Sequence, residues 1–362
     1  MLTILDLFSG IGGFRLALEN AGHKVIWSNE ILEKPRSIYE RNFKEKPDPR
    51  DIRTINPDEL PDADLLCGGF PCATFSIAGK RTGFCQTDTR GSLFFEICRI
   101  LRAKRTKYFI LENVKGLLNH DNGRTFGVIL ASLDELGYDV QWELLNSKNF
   151  GVPQNRERIF IVGSLRGKRR PKIFPIGNAS QEDDGKNRGE PEERQGFFSN
   201  ISPTLDANYS KGGASRQYVN EAGVAQWRRG YFREYKSDGT PTLTANMGTG
   251  GHNVPFVRAV ITPDRAEKRQ NGRRFKDDGE PAFTLGAQDK HGVAISDGEK
   301  LDIRKLTPME CERLQGFPDN WTKYYADGTL VSDSERYERC GRTITVTVVQ
   351  SIGERFAKNE YY

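Results

Sequence analysis

The alternation of short apolar runs with amphipathic stretches constrains the fold of this chain more than any other feature. Over residues 1–163, runs such as LTILDLF, DLLCGG and YFILENV are each followed by a helix-like segment. Strands that alternate with helices predict a mainly parallel sheet with helices on both faces, which is an α/β fold. Two later runs, QWELLN and RIFIVGS, lie close together in the sequence and predict an antiparallel pair at one sheet edge.

The first of these strands ends in a glycine-rich turn. In ILDLFSGIGGF, Gly10, Gly12 and Gly13 separate the apolar strand from the helix that follows. Such a turn lets backbone N–H groups and a helix N-terminus approach an anionic ligand. The next strand ends at Glu30, where a carboxylate can accept hydrogen bonds from a ribose. The layout predicts a nucleotide-like cofactor, of the dinucleotide or S-adenosylmethionine kind, and a purely structural turn is the alternative.

The middle of the chain has a different texture. Residues 164–303 are rich in Gly, Asn, Asp, Thr and Arg and show short strand signals without a long amphipathic helix. The α/β pattern returns afterwards with LTPMECERLQGF, a predicted helix with Thr307 as N-cap. The final TITVTVVQSIGERFA is typical of a β-rich or turn segment that passes into a helix. We therefore expect one Rossmann-like domain, 1–163 with 304–362, and a smaller, irregular β-rich domain inserted at 164–303.

Composition limits the remaining possibilities. With 54 basic and 49 acidic residues, the net charge of +5 permits a polyanionic partner without requiring one. No apolar run approaches the roughly 20 residues that cross a bilayer, and the start lacks the features of a secretion signal. The six cysteines are scattered and form no C-x-x-C pair, so we expect them to be reduced and expect no metal site. A monomer in the cytoplasm, without a membrane partner, is the expectation.

One cysteine has an unusual setting, in GGFPCATFS. Pro71 fixes its own φ and biases the residue before it toward an extended conformation, which presents Cys72 at the end of a strand. A neighbouring cation or helix start would stabilise its thiolate and make it a nucleophile. A buried apolar role is the ordinary alternative for a lone cysteine.

Acidic and basic groups accompany this thiol. Glu112 ends the strand YFILENV, and Arg156 and Arg158 lie two residues apart in QNRERIF, on one face of an extended segment. If these groups converge, they suit attack on a pyrimidine. The sulfur would add at C6, the acid would bond N3 and the exocyclic amine, and an arginine would hold O2.

These motifs, in this order, strongly resemble those of the DNA cytosine-5 methyltransferases. The resemblance covers residues 1–163 and 304–362, where RKLTPMECERLQGFP matches the motif that packs on the recognition domain. Residues 164–303 match only as the place of the variable target-recognition domain. The resemblance implies catalytic roles for Cys72, Glu112, Arg156 and Arg158. The implied cofactor-binding residues are Phe8, Ser9, Gly10, Gly12, Gly13, Glu30, Ile31, Asp51, Ile52, Pro71, Arg342 and Thr343.

The resemblance also implies the reaction and its partners. The enzyme would flip a cytosine out of double-stranded DNA and transfer a methyl group from S-adenosyl-L-methionine to C5. Residues 73–90 would close over the flipped base. Such enzymes are typical of prokaryotes and phages, often within restriction-modification systems. A tRNA cytosine-5 methyltransferase and an inactive DNA-binding homologue are the alternatives, although the long recognition region favours DNA and the complete set of catalytic residues favours activity.

The chain departs from the family pattern at its last motif. The usual ending begins Gly-Asn, whereas GRTITVTVV has Arg342 at the asparagine position. In the family that asparagine lies close to the transferred methyl group, so the resemblance implies the same location for Arg342. A guanidinium repels a sulfonium by about 1 kcal/mol at water-like screening, and by more in a buried site. It would instead attract a donor that carries a carboxylate. We therefore hypothesise use of carboxy-S-adenosyl-L-methionine to form 5-carboxymethylcytosine. The alternatives are that Arg342 binds a DNA phosphate or an internal acid, or that the site is weakened.

Overall fold

The computed structural model describes residues 1–70, 93–176, 256–261, 263, 273–277, 280–286, 290–296 and 301–358. Pro71, Cys72, the expected closing segment 73–90 and most of the expected recognition domain lie outside these residues. Within the described part, a sheet with the order β2-β1-β3-β4-β6-β5 forms the centre. Its strands are β1 (Thr3–Leu7), β2 (Lys24–Asn29), β3 (Leu65–Gly69), β4 (Tyr108–Val114), β5 (Tyr138–Asn146) and β6 (Glu157–Leu165).

Strand direction in this sheet agrees with the sequence pattern. The strands β1 to β4 pair in parallel, and β6 runs antiparallel to both β4 and β5. The predicted α/β class with a mixed, mainly parallel sheet is confirmed, as is the antiparallel pair at the edge. Continuous apolar runs such as LLC in β3 are fully buried because both faces of the sheet are covered.

Helices cover the two faces. One face packs against α3 (Leu93–Lys104) and α4 (Arg124–Glu135), and the other against α1 (Gly13–Asn20) and α7 (Val346–Ala357). Both ends of the chain therefore contribute to one core. The other α-helices in the described residues are α2 (Glu33–Phe43), α5 (Pro308–Leu314) and α6 (Asp333–Arg342).

Helix α7 differs from the expectation for the final segment. The β-branched run expected to be β-rich or a turn is helical from Val346 onward. Its residues Val346, Val349 and Ile352 are buried in the core that α1 also lines. Gly353 allows a close approach, since a Cβ there would lie 2.8 Å from the Cβ of Ala21. Burial of this face outweighs the strand preference of the β-branched residues, which is a weak local effect.

Helix α5 begins as predicted. The Thr307 hydroxyl accepts a hydrogen bond from the backbone N of Glu310 at 3.2 Å, and Glu310 Oε2 accepts one from the backbone N of Thr307 at 2.7 Å. This reciprocal pair is a capping box, and Pro308 occupies the first helical position.

A smaller antiparallel sheet lies apart from the central one. Within the described residues it has the order β7-β8-β9, formed by β7 (Phe256–Ile261), β8 (His291–Ser296) and β9 (Leu301–Lys305). The expected boundaries at 163/164 and 303/304 fall inside β6 and β9. In addition, Ile173 and Phe174 pack in the core of the central sheet, so the segment 164–176 is attached to the α/β core.

Candidate active site

The carboxyl ends of the parallel strands meet at one edge of the central sheet, where an open cleft lies. In open α/β sheets this edge is where ligands bind. Several of the sequence-predicted site residues line this cleft, from both ends of the chain. They are Phe8, Ser9, Gly10, Gly13, Glu30, Glu112, Arg342 and Thr343.

The turn after β1 has the backbone that glycine permits. Gly10 and Gly12 have φ values of +56° and +89°, in the left-handed region. A Cβ on Gly12 would lie 2.2 Å from the Phe43 ring, and one on Gly13 would lie 2.8 Å from the Thr343 hydroxyl. The turn is therefore pressed between α2 and the segment that follows α6. Gly12 does not itself line the cleft; it lies against the Phe43 ring on the other side of the turn.

Glu30 joins the end of β2 to this turn. Its carboxylate accepts hydrogen bonds from the backbone N of Gly10 at 2.9 Å and of Leu32 at 2.8 Å. Burial raises the pKa of Glu30, and these N–H groups and the charge of Arg339 oppose that rise. A carboxylate has about four acceptor sites, so capacity remains for a ligand hydroxyl. The expected ribose contact is compatible with this geometry.

Other expected cofactor residues lie away from the lining of the cleft. Ile31 has 53% of its surface exposed, and Ile52 is buried in the core. The Asp51 carboxylate caps a short 3-10 helix by accepting from the Arg53 backbone N at 3.0 Å, and it also pairs with the Arg53 guanidinium. An adenine contact from Asp51 and Ile52 stays a prediction.

Glu112 and Arg158 form the polar centre of the site. Arg158 Nε lies 3.0 Å from Glu112 Oε1, and the two side chains are only 17% and 12% exposed. Burial raises the pKa of Glu112, and the charges of Arg158 and then Arg156 lower it. The carboxyl group therefore holds a proton more readily near neutral pH than an exposed glutamate does. A buried acid of this kind can protonate or hydrogen-bond a basic ring nitrogen.

The strand that leads to Cys72 lies directly beside Glu112. Gly69 pairs with Glu112 in the β3–β4 register, and a Cβ on Gly69 would lie 3.0 Å from Glu112 Oε2. Cys72 follows Gly69 by three residues, and a chain of that length spans at most roughly 11 Å. Cys72 and Pro71 are outside the described residues, so their predicted roles stay predictions. The described residues that precede them lie at the site.

Asn113 is a site residue that the sequence analysis did not identify. It is 2% exposed, and its Nδ2 donates a hydrogen bond to the Phe70 carbonyl at 2.8 Å. Phe70 immediately precedes Pro71, so Asn113 fixes the chain where it leaves β3. The sequence signal that could have identified Asn113 is its position directly after Glu112 in β4. Successive side chains of a strand point to opposite faces, so Asn113 points away from the face of Glu112.

Arg156 lies just before the first residue of β6, close enough for its charge to act on Arg158 and Glu112. A face shared with Arg158 stays a prediction. Its guanidinium is buried and donates to the backbone carbonyls of Leu285 at 3.0 Å and Thr343 at 2.6 Å. Burial lowers the pKa of Arg156 to about 9, a value that still leaves it charged at neutral pH.

Helix α6 places two arginines along one wall of the cleft. Arg342, its last residue, lines the cleft and also pairs with Glu338, at 2.9 Å between Nη2 and Oε1. Arg339 lies one turn earlier on the same wall and pairs with Glu335 at 3.2 Å. Arg339 is a cleft residue that was not predicted from the sequence, although its spacing of three residues from Arg342 places both on one helix face. An internal acid for Arg342 was one of the alternatives considered.

The family that the sequence resembles can be compared directly with this chain. The family model described as "C-5 cytosine-specific DNA methylase" matches residues 2–358 of this chain. The chain belongs to this family. It is 37% identical to the orphan methyltransferase M.SPRI of Bacillus phage SPR, over 97% of this chain and 96% of that protein. It is 36% identical to the type II methyltransferase M.Bsp6I of Bacillus sp. (strain RFL6), over 99% of both chains.

Solved structures support the same fold at lower sequence identity. A putative DNA modification methyltransferase encoded within an E. coli prophage is similar with a TM-score of 0.58, at 18% identity over 99% of each chain. A DNMT2 mutant from Spodoptera frugiperda is similar with a TM-score of 0.55 and 20% identity, over 99% of this chain and 100% of that one. At these identities the likeness concerns the fold alone.

Members of this family use S-adenosylmethionine. The cleft suits such a molecule, because it combines the Gly10 turn, the Glu30 carboxylate and a buried Ser9 hydroxyl that has no partner among the described residues. In the part of the chain that the structure describes, no group of three or more His, Cys, Asp or Glu is arranged to hold a metal ion. No helix there is both long and apolar enough to cross a membrane.

Proposed function

We propose that this DNA cytosine-5 methyltransferase recognises a specific duplex sequence, flips the target cytosine out of the helix and attacks it with Cys72. The observation that carries the proposal is the buried Glu112–Arg158 pair beside Gly69, three residues before Cys72. It supplies an acid and a cation at the strand end from which the chain continues to the thiol. An extruded base is required because C5 and C6 are not accessible within a stacked duplex.

In the proposed mechanism the Cys72 thiolate forms a bond to C6 of the cytosine. Glu112 donates a proton or a hydrogen bond at N3, which accepts the electron density displaced by that attack. The electron-rich C5 would then form a bond to the methyl carbon as the methyl–sulfur bond breaks, which would release S-adenosylhomocysteine. S-Adenosylmethionine supplies the methyl group as an electrophilic carbon on its sulfonium. Loss of the C5 proton to a base then expels the Cys72 thiolate, a proton taken up at N3 returns to Glu112, and the aromatic ring is restored.

Arg158 has two roles in this proposal. It holds the Glu112 carboxyl in place through the 3.0 Å contact from Nε, and its Nη1 donates to the Glu157 carbonyl at 2.8 Å, so the Nη2 group is the one proposed to bind the O2 atom of the base. The raised pKa of Glu112 fits its role as a proton donor, since a fully ionised carboxylate would only accept. Asn113 holds the chain before Pro71 and so positions the nucleophile.

Replacement of the nucleophile tests this mechanism. Cys72→Ala should abolish methyl transfer to unmethylated genomic DNA, measured by digestion to nucleosides and mass spectrometry, while DNA binding persists. Cys98→Ala, which removes a buried thiol from α3, is the matched control and should retain transfer. DNA prepared with 5-fluorocytosine should form a stable adduct with the wild type and with Cys98→Ala. An adduct or turnover with Cys72→Ala would refute the assignment.

We also propose that the middle of the chain, from the end of the core-packed segment 164–176 to residue 303, is the target-recognition region of a monomeric enzyme in the cytoplasm of a bacterial or phage-infected cell. The named relatives are methyltransferases of bacteria and phages. The long region favours duplex DNA over tRNA, because short recognition regions are associated with the tRNA-modifying branch. Sequencing the modified cytosines after incubation with duplex DNA would define the site. Modification confined to tRNA would overturn the substrate assignment.

A second candidate function is carboxymethyl transfer, and α6 supplies the observation that favours it. Arg339 and Arg342 both line the cleft, so a donor with a carboxylate would meet two guanidinium groups at this wall. The Arg342 side chain that pairs with Glu338 is 59% exposed, and ion pairs between exposed side chains contribute only about 0–1 kcal/mol to stability. A bidentate carboxylate in the cleft could displace it. The proposed donor is carboxy-S-adenosyl-L-methionine, with 5-carboxymethylcytosine as product.

Competition between the two donors tests this candidate. The wild type should form 5-carboxymethylcytosine when both donors are present, whereas Arg342→Asn should favour 5-methylcytosine by roughly tenfold or more, because about 1.4 kcal/mol of attraction is lost. Arg342→Lys is the control that keeps the charge and should retain part of the preference. Methylation that the carboxylated donor neither replaces nor inhibits would exclude carboxymethyl transfer.

A further inference from the structure

The segment 153–156 joins the central sheet to a strand-like segment from the middle of the chain. The backbone N of Ala282 donates to the Pro153 carbonyl at 2.8 Å, and that of Asn155 donates to the Ala282 carbonyl at 2.9 Å. The fully buried Gln154 side chain accepts from the backbone N of Leu285 at 3.1 Å and donates to the Leu314 carbonyl at 2.8 Å. Residues 282–285 are thus attached to the α/β core through backbone contacts.

Arg156 extends this junction to the cofactor side of the molecule. Its Nη1 donates to the Leu285 carbonyl at 3.0 Å, and its Nη2 donates to the carbonyls of Thr343 at 2.6 Å and Gly341 at 3.3 Å. The side chain is 2% exposed. One rigid guanidinium therefore connects a segment of the expected recognition region with the end of α6.

The turn held by Arg156 forms part of the cofactor cleft. Thr343 lines the cleft, and its hydroxyl lies against the Gly13 backbone, where a Cβ would come within 2.8 Å. Contacts therefore continue from Leu285 through Arg156 and Thr343 to the glycine turn. Movement of either end changes the hydrogen bonds available to the same buried cation.

We propose that Arg156 is a positioning residue that couples occupation of the cofactor cleft to the seating of residues 282–285. A buried guanidinium that loses one hydrogen-bond acceptor keeps its charge, and the lost hydrogen bond is not replaced by water. The state in which Arg156 contacts both segments at once is therefore the favoured one. A ligand that steadies the Thr343 turn thus steadies the Leu285 segment, and by reciprocity DNA held by the recognition region strengthens cofactor binding. The coupling rests on the proposed cofactor site but assigns Arg156 no contact with the base.

Hydrogen exchange on the full chain tests the coupling without knowledge of the DNA target. S-Adenosylhomocysteine, with binding verified by calorimetry, should slow amide exchange in the peptide 281–286 of the wild type by about fivefold or more. Arg156→Lys keeps the charge but cannot reach the carbonyls of Leu285 and Thr343 together, so this slowing should disappear while slowing around residues 341–346 remains. Arg336→Lys, a change at a buried arginine that pairs with Glu312, is the control and should behave as the wild type.

The outcomes separate the coupling from the proposed function. Wild-type protein that binds S-adenosylhomocysteine without slower exchange at 281–286 would overturn the coupling, whether or not Arg156→Lys folds. Slowing that survives Arg156→Lys, or that disappears equally in Arg336→Lys, would also overturn it. Failure of the wild type to bind S-adenosylhomocysteine at all would refute the proposed cofactor site and the coupling together.

Discussion

The contact between Arg158 and Glu112 should contribute a pH-dependent part of the stability. At 3.0 Å and an effective dielectric constant of about 20, the Coulomb attraction is about 5 kcal/mol, and desolvation of both ions offsets much of it. We expect a net coupling of about 1–3 kcal/mol, the range for residues in direct contact. Arg158→Gln should therefore destabilise the protein, and the further change Glu112→Gln should recover part of the loss, because no unpaired carboxylate remains.

The sign of the pH dependence follows from the raised pKa of Glu112. A carboxyl whose folded pKa lies above its unfolded value is tolerated at low pH, and its cost appears as the pH rises through the folded pKa. Removal of the Arg158 charge raises that pKa further, so the destabilisation by Arg158→Gln should be larger at pH 8 than at pH 5. The double variant with Glu112→Gln should lose this dependence on pH.

Denaturant unfolding of the four proteins in this cycle, at both pH values, measures the coupling directly. Arg50→Gln, at an exposed arginine that pairs with Asp48 and Glu59, is the matched control and should change stability by less than about 1 kcal/mol. Equal destabilisation by Arg158→Gln at pH 5 and pH 8, or no recovery in the double variant, would refute the interpretation of Glu112 as a buried acid held by Arg158.

Two further substitutions test the supports of the site. Asn113→Ala removes the donor to the buried Phe70 carbonyl, so it should cost about 1–3 kcal/mol of stability and lower kcat more than cofactor affinity; unchanged kcat in a folded variant would contradict a positioning role. Gly13→Ala places a Cβ 2.8 Å from the Thr343 hydroxyl and should weaken S-adenosylhomocysteine binding in calorimetry by tenfold or more, about 1.4 kcal/mol, whereas unchanged binding would show that the turn tolerates the side chain.

The sequence predicted those parts of the molecule that depend on local pattern. The order of strands and helices, the glycine turn and the Thr307 cap each follow from residues that are neighbours in the chain. The helical run from Val346 does not, because local preference there is overruled by burial against the core shared with α1. Its conformation depends on a partner that lies more than 300 residues earlier in the sequence.

The residues of the candidate site were likewise predictable only where a local sequence pattern revealed them. Glu112 and Arg158 could be proposed because each belongs to a strand whose end was visible in the sequence. The contacts of Arg156 could not, since its acceptors are backbone carbonyls of distant residues, and a carbonyl carries no sequence signal. The Glu338 partner of Arg342 lies one helical turn away, but the pattern alone did not show that α6 extends to Arg342.

The reversal of β6 is what allows a basic residue to reach the acid. In a purely parallel sheet, the ligand-binding edge collects residues that follow strands, such as Glu30 and the Gly10 turn. Because β6 runs antiparallel to β4, its first residues lie at that same edge. Arg158 lies directly opposite Val114 in the β4–β6 register, and Val114 is two residues after Glu112. Arg158 and Glu112 are therefore diagonal neighbours on the same face of the sheet. The proximity of acid and cation is thus a consequence of topology, and it would be lost if β6 were parallel.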